Sequence, residues 1–415
     1  MAWQEILVEI NHCNKCGFCL PTCPTYQITG SELASPRGRI AMVEALARSE
    51  IPVGVGLEEA LTYCLDCRAC ETACPSGVPY HRILEAGRDQ LWRERPATQR
   101  SPWIVRQALG AVTRPRRLAR FTRWARRWQK VPLPASLRQF FPMLRPQQPL
   151  PPAPRNVPEA IYAAQFFAGC MMSAVFPEAN RAAQHLLTMA AVAVHTPRTQ
   201  TCCGALHWHS GDAEKARQLA RQNIAAFEGT TDLIVNTAGG CGAMLMEYGE
   251  VLADDPVWAE RARQFSARIC DWATVFLRYG QEVSLVGEGE RVTLQNSCHL
   301  VNVEKAGEDA VAVLERVAGD TFVPLPSQNR CCGSAGTYSL VHTDWALQIL
   351  DQKMAEVETQ RPDRILVNNP GCHLQMQWGT TRREKTQRLT VEHLANYVYR
   401  AAWKGLQQQS GASTT

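Results

Sequence analysis

Two copies of one cysteine string constrain this chain more than any other feature. The first is Cys13-x2-Cys16-x2-Cys19-x3-Cys23-Pro24; the second is Cys64-x2-Cys67-x2-Cys70-x3-Cys74-Pro75. Cysteines three apart in a tight turn offer three soft thiolates to one metal centre. A [4Fe–4S] cube has four iron corners, each taking one thiolate, and the turn that supplies three cannot wrap round to the fourth. The fourth cysteine of such a run, the one before proline, usually ligates the other cluster. Cys13, Cys16, Cys19 and Cys74 are therefore assigned to one cluster, and Cys64, Cys67, Cys70 and Cys23 to the other. The proline fixes φ and steers the chain away. Tetrahedral zinc needs fewer thiolates than two such runs supply.

The chain has 415 residues, enough for two or three domains. It carries 17 cysteines. The N-terminus, Met1-Ala2-Trp3-Gln4-Glu5, lacks the basic and apolar regions of a signal peptide, so the cysteines point to a reducing compartment and metal ligation rather than disulfides. No run of about 18 apolar residues occurs, and no membrane span is expected.

Residues 1–95 are expected to form an α-helical ferredoxin domain. Ser35 as N-cap and Pro36 at the first helical position announce a helix between the strings. A second helix is expected to start near Gly56 and deliver Cys64. Arg37 and Arg39 are candidates for positive charge beside a cluster. Residues 96–155 read as a basic helical and Pro-rich linker: between 91 and 150 there are 14 Arg or Lys against one acidic residue, Glu94. Arginines interleaved with Phe121, Trp124 and Trp128 suggest a basic amphipathic helix over 114–130, suited to an anionic membrane surface or an acidic partner. No nucleic-acid motif accompanies it.

Residues 156–405 contain a repeat. Cys170, the pair Cys202-Cys203 before Gly204, and Cys241 recur as Cys298, the pair Cys331-Cys332 before Gly333, and Cys372, at offsets of 128, 129 and 131 residues. Apolar strand-like runs precede the cysteines, and helical patterns lie between. This predicts two α/β lobes with parallel strands, 156–285 and 286–405, each with one four-cysteine site at strand carboxyl ends. Adjacent cysteines cannot easily bond each other but can offer thiolates to one centre, so the eight are candidate metal or redox residues. Cys270 has no counterpart and is expected in a helix as a small buried residue. His207, His209, His299 and His373 flank the cysteines. Met171 and Gly242 stand where the second copy has His299 and His373, which favours hydrogen bonding or packing over ligation. The loop Gly333-Ser334-Ala335-Gly336-Thr337-Tyr338 either admits a partner or forms a tight turn. No nucleotide or flavin motif, catalytic triad or paired-carboxylate site is present.

The chain resembles the iron–sulfur subunits of bacterial glycolate oxidase. The likeness is carried by Cys16-Gly17-Phe18-Cys19 through Cys23-Pro24-Thr25-Tyr26, by Pro36-Arg37-Gly38-Arg39-Ile40, by Cys70-Glu71-Thr72-Ala73-Cys74-Pro75-Ser76-Gly77-Val78 and by Cys331-Cys332-Gly333-Ser334-Ala335-Gly336-Thr337-Tyr338. It covers nearly the whole chain. The resemblance implies an electron-transfer subunit with no catalytic residue of its own. FAD-containing partner subunits would oxidise glycolate or another 2-hydroxy acid, and a quinone or membrane acceptor would take the electrons. It implies two [4Fe–4S] clusters, with one or two further centres in the lobes, and a cytoplasmic protein peripheral to the inner membrane. Iron–sulfur subunits of lactate-utilisation, glycerol-3-phosphate dehydrogenase and heterodisulfide reductase complexes share the layout. In the last, the module ends in CxxC. Here Met244 and Gln375 stand at the final position, leaving four thiolates per lobe.

Overall fold

The computed structural model describes residues 3–95, 103–113, 148–155 and 157–412, together with residues 118, 120 and 122. The basic helix expected over 114–130 lies outside the described residues apart from Leu118, Arg120 and Thr122.

The described residues up to 113 are helical where they are regular, with helices at Trp3–Ile10, Pro24–Thr29, Pro36–Ala47, Val55–Thr62, Ala69–Thr72, Tyr80–Glu94 and Trp103–Val112. Ser35 caps the helix Pro36–Ala47, its Oγ accepting from the Gly38 amide at 3.0 Å. Gly38 is required there, because a Cβ would lie 1.9 Å from the Glu32 carbonyl oxygen. The helix Val55–Thr62 leads into Cys64, as its sequence predicts. Ile6, Ile40, Val43, Leu61 and Ile83 form the core of this region, and Cys13, Cys64, Cys70 and Cys74 pack against its edge.

The second half holds two parallel sheets. The first lobe has β1 (Tyr162–Phe166), β2 (Val192–His195), β3 (Leu233–Asn236) and β4 (Ile269–Asp271), in the order β2-β1-β3-β4. The second lobe has β5 (Val292–Gln295), β6 (Arg364–Val367) and β7 (Thr390–His393), in that order. β5 and β6 are buried throughout, which is why they read as strands without alternation. The counterpart of β2 is reduced in the second lobe to one parallel bridge, Val292 with Phe322. Cys270 lies on β4, not in a helix; the helix begins at Trp272, after Asp271 caps it through the Ala273 amide.

The lobes meet at equivalent strand ends. The Gly239 amide, after β3, donates to the Asn368 carbonyl after β6, and the Gly240 amide donates to Asn369 Oδ1 at 3.1 Å. One apolar core runs through both sheets: it takes Phe166 and Val235 from the first, Val292, Leu294 and Leu366 from the second, and Leu394 and Val398 from the last helix.

Candidate metal centres

The two strings fold around two adjoining cavities. Cys13, Cys16, Cys19 and Cys74 line the first, with Cys70 on the wall it shares with the second. Cys23, Cys64, Cys67 and Cys70 line the second. Pro36 and Tyr80 also face both cavities, so the start of the helix Pro36–Ala47 stands between them. Each cavity thus gathers three cysteines of one string and the fourth of the other.

The cavities differ in depth. Cys16 is exposed, and beside it Phe18 is 66% exposed. Cys23 and Cys67 are buried. Arg37 lines the first cavity but is held by Glu32 at 2.7 and 2.8 Å, and it also donates to the Lys15 carbonyl. Arg39 lines the second and is fully buried, donating to the Ala60 carbonyl and to Thr25 Oγ1. Burial opposes its charge, and thiolate charge on Cys64 and Cys23 would favour it. Cys64 Sγ accepts from the Tyr80 hydroxyl and the Asp66 amide, both at 3.4 Å.

The lobe cysteines also gather in sets. Cys170 Sγ lies 3.5 Å from Cys202 Sγ. Cys202 adjoins Cys203, which adjoins Cys241. The second lobe repeats the chain of contacts: Cys298 to Cys331, Cys331 to Cys332, Cys332 to Cys372. Contact with Cys170 and Cys203 holds the Cys202 thiol well below its usual range, while its neighbours are pushed up. Contact with Cys331, then burial, pushes Cys298 up, and Cys332 is raised as well. Buried thiols this close cannot all ionise together; a bound cation at their centre removes the obstacle by taking the thiolates as ligands. The donor set fits a thiolate-ligated metal centre in either lobe. At the positions after Cys241 and Cys372 where heterodisulfide reductase has its last cysteine, Met244 and Gln375 are buried, and Gln375 donates to the Ala346 carbonyl.

The flanking histidines make other contacts. His209 Nδ1 faces both Asp66 Oδ2, at 2.8 Å, and Glu85 Oε1, at 2.9 Å. His299 donates through Nε2 to the Asp66 carbonyl at 2.7 Å. His207 pairs with Asp212, and His373 stacks on Phe176. Asp66, in the loop between Cys64 and Cys67, is therefore gripped by both lobes, its side chain by the first and its carbonyl by the second. Although burial opposes it, His209 is held protonated to about 10 by Asp66 and Glu85. The same proton keeps Asp66 well below the usual range despite burial, with Arg88 adding to the effect, whereas burial pushes Glu85 up. The sequence gives no sign of this cluster, because its three members come from separate segments. The loop Gly333–Tyr338 is a turn wedged inward: Ala335 and Tyr338 pack with Cys67, Cys298 and Cys331.

Residues 9–78 match the 4Fe-4S dicluster domain family, and residues 164–246 and 292–377 each match the Cysteine-rich domain family. The chain is 37% identical over 418 residues to the probable glycolate oxidase iron-sulfur subunit of Bacillus subtilis, covering 95% of this chain and 94% of that one. The chain belongs to the glycolate oxidase iron-sulfur subunit family. A second member, the glycolate oxidase iron-sulfur subunit of Escherichia coli, is 34% identical over 403 residues, with 94% of each chain covered. Lactate utilization protein A of Geobacillus kaustophilus is 31% identical over 234 residues, 56% of this chain and 96% of that protein. Family membership covers both cysteine strings and both lobes. Among the described residues no helix is long and apolar enough to cross a membrane.

Proposed function

We propose that this chain is the iron–sulfur electron-transfer subunit of a glycolate oxidase complex, taking electrons from FAD-containing partner subunits and passing them to a quinone or membrane acceptor. The observation that carries the reading is the gathering of eight string cysteines around two adjoining cavities in a chain of this family. Cys13, Cys16, Cys19 and Cys74 hold one centre, and Cys64, Cys67, Cys70 and Cys23 the other. When bound, [4Fe–4S] centres carry single electrons, at potentials set by nearby charge, hydrogen bonds and exposure. The chain supplies those settings. Arg39 places a buried cation at the second cavity, and Tyr80 and the Asp66 amide donate to Cys64 Sγ. The exposed edge at Cys16 gives an outside donor a short approach to the first.

The four-thiol sets of the lobes are read as further iron–sulfur sites, and the basic segment 114–130 as the contact with an anionic inner-membrane surface on the cytoplasmic side. Substrate oxidation belongs to the partner subunits. The decisive test is Cys16→Ser in the reconstituted complex. Acceptor reduction should be lost while substrate still bleaches the partner flavin. Full acceptor reduction by the variant would overturn the reading.

A further inference from the structure

The four-thiol sites of the two lobes are built from matching residues, yet their surroundings differ. In the second lobe, Cys298 and Cys331 share an apolar cluster with Cys67, Leu65 and Tyr338. Cys67, like Cys23, is a buried thiol of the second string cavity, only 8% exposed, and Cys298 is the first neighbour whose charge would bear on it. Two hydrogen bonds fix this approach. His299 donates to the Asp66 carbonyl at 2.7 Å, and Asn302 donates to the Cys67 carbonyl at 2.8 Å. Both stand on the short helix Cys298–Asn302 that opens with the lobe's first cysteine. In the first lobe, Cys170, Cys202 and Cys203 pack instead with Phe167, Ala216, Leu219 and Tyr248 of their own lobe.

The sites also differ in charge. Lys353 lies on the face of the helix Thr343–Gln360 that carries Leu350, Met354 and Val357 into the core around Cys332 and Cys372. It is 2% exposed, and its Nζ donates to Ser327 Oγ at 2.9 Å. Burial lowers its ammonium below the usual range, and against that act Cys332, the Glu356 carboxylate, Cys331 and Cys372. The matching position in the first lobe, on the helix Ala213–Ala226, is Asn223, offset by 130 residues, close to the 129 that separates the paired cysteines. Asn223 is as deeply buried but neutral, and it donates to the Cys202 carbonyl at 3.0 Å. A buried ammonium is costly unless a negative charge faces it. Glu356, which accepts from Ser327 Oγ at 2.8 Å, answers part of that charge, and an anionic centre on the thiol side of the helix would answer the rest.

We propose that the two lobe sites are not equivalent: the site of Cys298, Cys331, Cys332 and Cys372 exchanges electrons with the second string centre across the apolar cluster that Cys67 and Cys298 share, with Lys353 as its counter-charge, and the site of Cys170, Cys202, Cys203 and Cys241 is off this path. The proposal rests on the reading that the lobe thiols hold an iron–sulfur centre. The step is a one-electron exchange: the second-lobe site is reduced as the second string site is oxidised, and no bond forms or breaks. Lys353 is a positioning residue for charge and touches no electron carrier of its own.

The test uses full-length, anaerobically purified protein, with iron content, EPR of the dithionite-reduced state and EPR-monitored potentiometry. In the unaltered protein the second-lobe signal should show spin–spin broadening against the second string centre. Cys331→Ser should remove that broadening and about four irons per chain. Cys202→Ser should leave the broadening intact. Lys353→Met should make reduction of the second-lobe centre about tenfold less favourable, a fall of about 59 mV for one electron, while Asn223→Ala leaves that midpoint unmoved. Intact string-centre signals serve as the folding control, and Lys353→Arg should restore the midpoint. Broadening lost in Cys202→Ser but kept in Cys331→Ser would overturn the proposal, as would an unchanged midpoint in Lys353→Met. If neither cysteine variant loses iron, the parent reading of the lobes fails, and the proposal falls with it.

Discussion

His209 Nδ1 lies 2.8 Å from Asp66 Oδ2, so the first lobe holds the loop between Cys64 and Cys67 by an ion pair whose carboxylate is buried. Removing one partner of such a pair leaves the other charge uncompensated. His209→Ala is expected to destabilise the protein by about 3 kcal/mol, read by anaerobic denaturant unfolding. A change within experimental noise would show that Arg68 and Arg88 alone satisfy Asp66.

The same pairing sets a pH response. His81, between Glu71 and Glu250, is held protonated to about 9 although burial opposes it, and His209 to about 10, both from an ordinary value of 6.5. Their folded values lie above the unfolded ones. Their stabilisation is therefore complete below about pH 6.5 and lost as pH rises through 9 and 10. Tm should fall between about pH 8 and pH 10, and a combined His81→Gln and His209→Gln variant should show a flatter fall. An equal slope in both proteins would count against this assignment.

Cross-ligation between the strings has a direct signature. Cys23→Ser lies in the first string but should cost the second centre, and Cys74→Ser should cost the first. Each variant should lose up to about four irons per chain, and EPR should show that the surviving signals differ. If Cys23→Ser and Cys13→Ser remove the same signal, the pairing is wrong.

Arg39 tunes the second centre through charge. Removing a buried cation beside thiolates disfavours the reduced, more negative state. Arg39→Leu should lower that centre's midpoint by about 59 mV, a tenfold change for one electron, and Arg39→Lys should recover most of it. The first centre, whose nearby Arg37 is neutralised by Glu32, should move far less in Arg37→Leu.

The two Cys-Cys-Gly turns are unequal under the same substitution. Gly333 has φ of +89°, and a Cβ there would lie 2.6 Å from the Ala346 carbonyl oxygen. At Gly204, φ is +91°, but the nearest atom, Ala216 Cα, would be 3.4 Å away. Gly204→Ala should cost about 1 kcal/mol of strain and Gly333→Ala about 3 kcal/mol, visible as a larger drop in Tm. Equal drops would mean the Ala346 carbonyl moves aside freely.

Local chemistry made much of this readable in advance. The strings, the Ser35-Pro36 helix start and the apolar runs at 233–235 and 365–367 carry their structure in adjacent residues, and the structure follows them. Cys270 reads as helical because Trp272 and the apolar residues after it continue a helical pattern, while β4 is only three residues long. Asp66, Glu85 and His209 could not be grouped from sequence, since nothing local links positions 66 and 209. Lys353 and Asn223 were hidden for another reason. Their helices read as ordinary amphipathic segments, and only the alignment of buried faces exposes the exchange of charge for amide.

The apolar core that threads both sheets has a consequence for how the repeat behaves as matter. Phe166 and Leu366 belong to one continuous packing unit, closed by the final helix. Copying a sequence here did not produce two separable bodies. Cutting one half from the other would open this shared core, so heating should melt the pair in a single calorimetric step. An expressed half-repeat should aggregate rather than fold. The duplication is modular in ancestry and indivisible in thermodynamics.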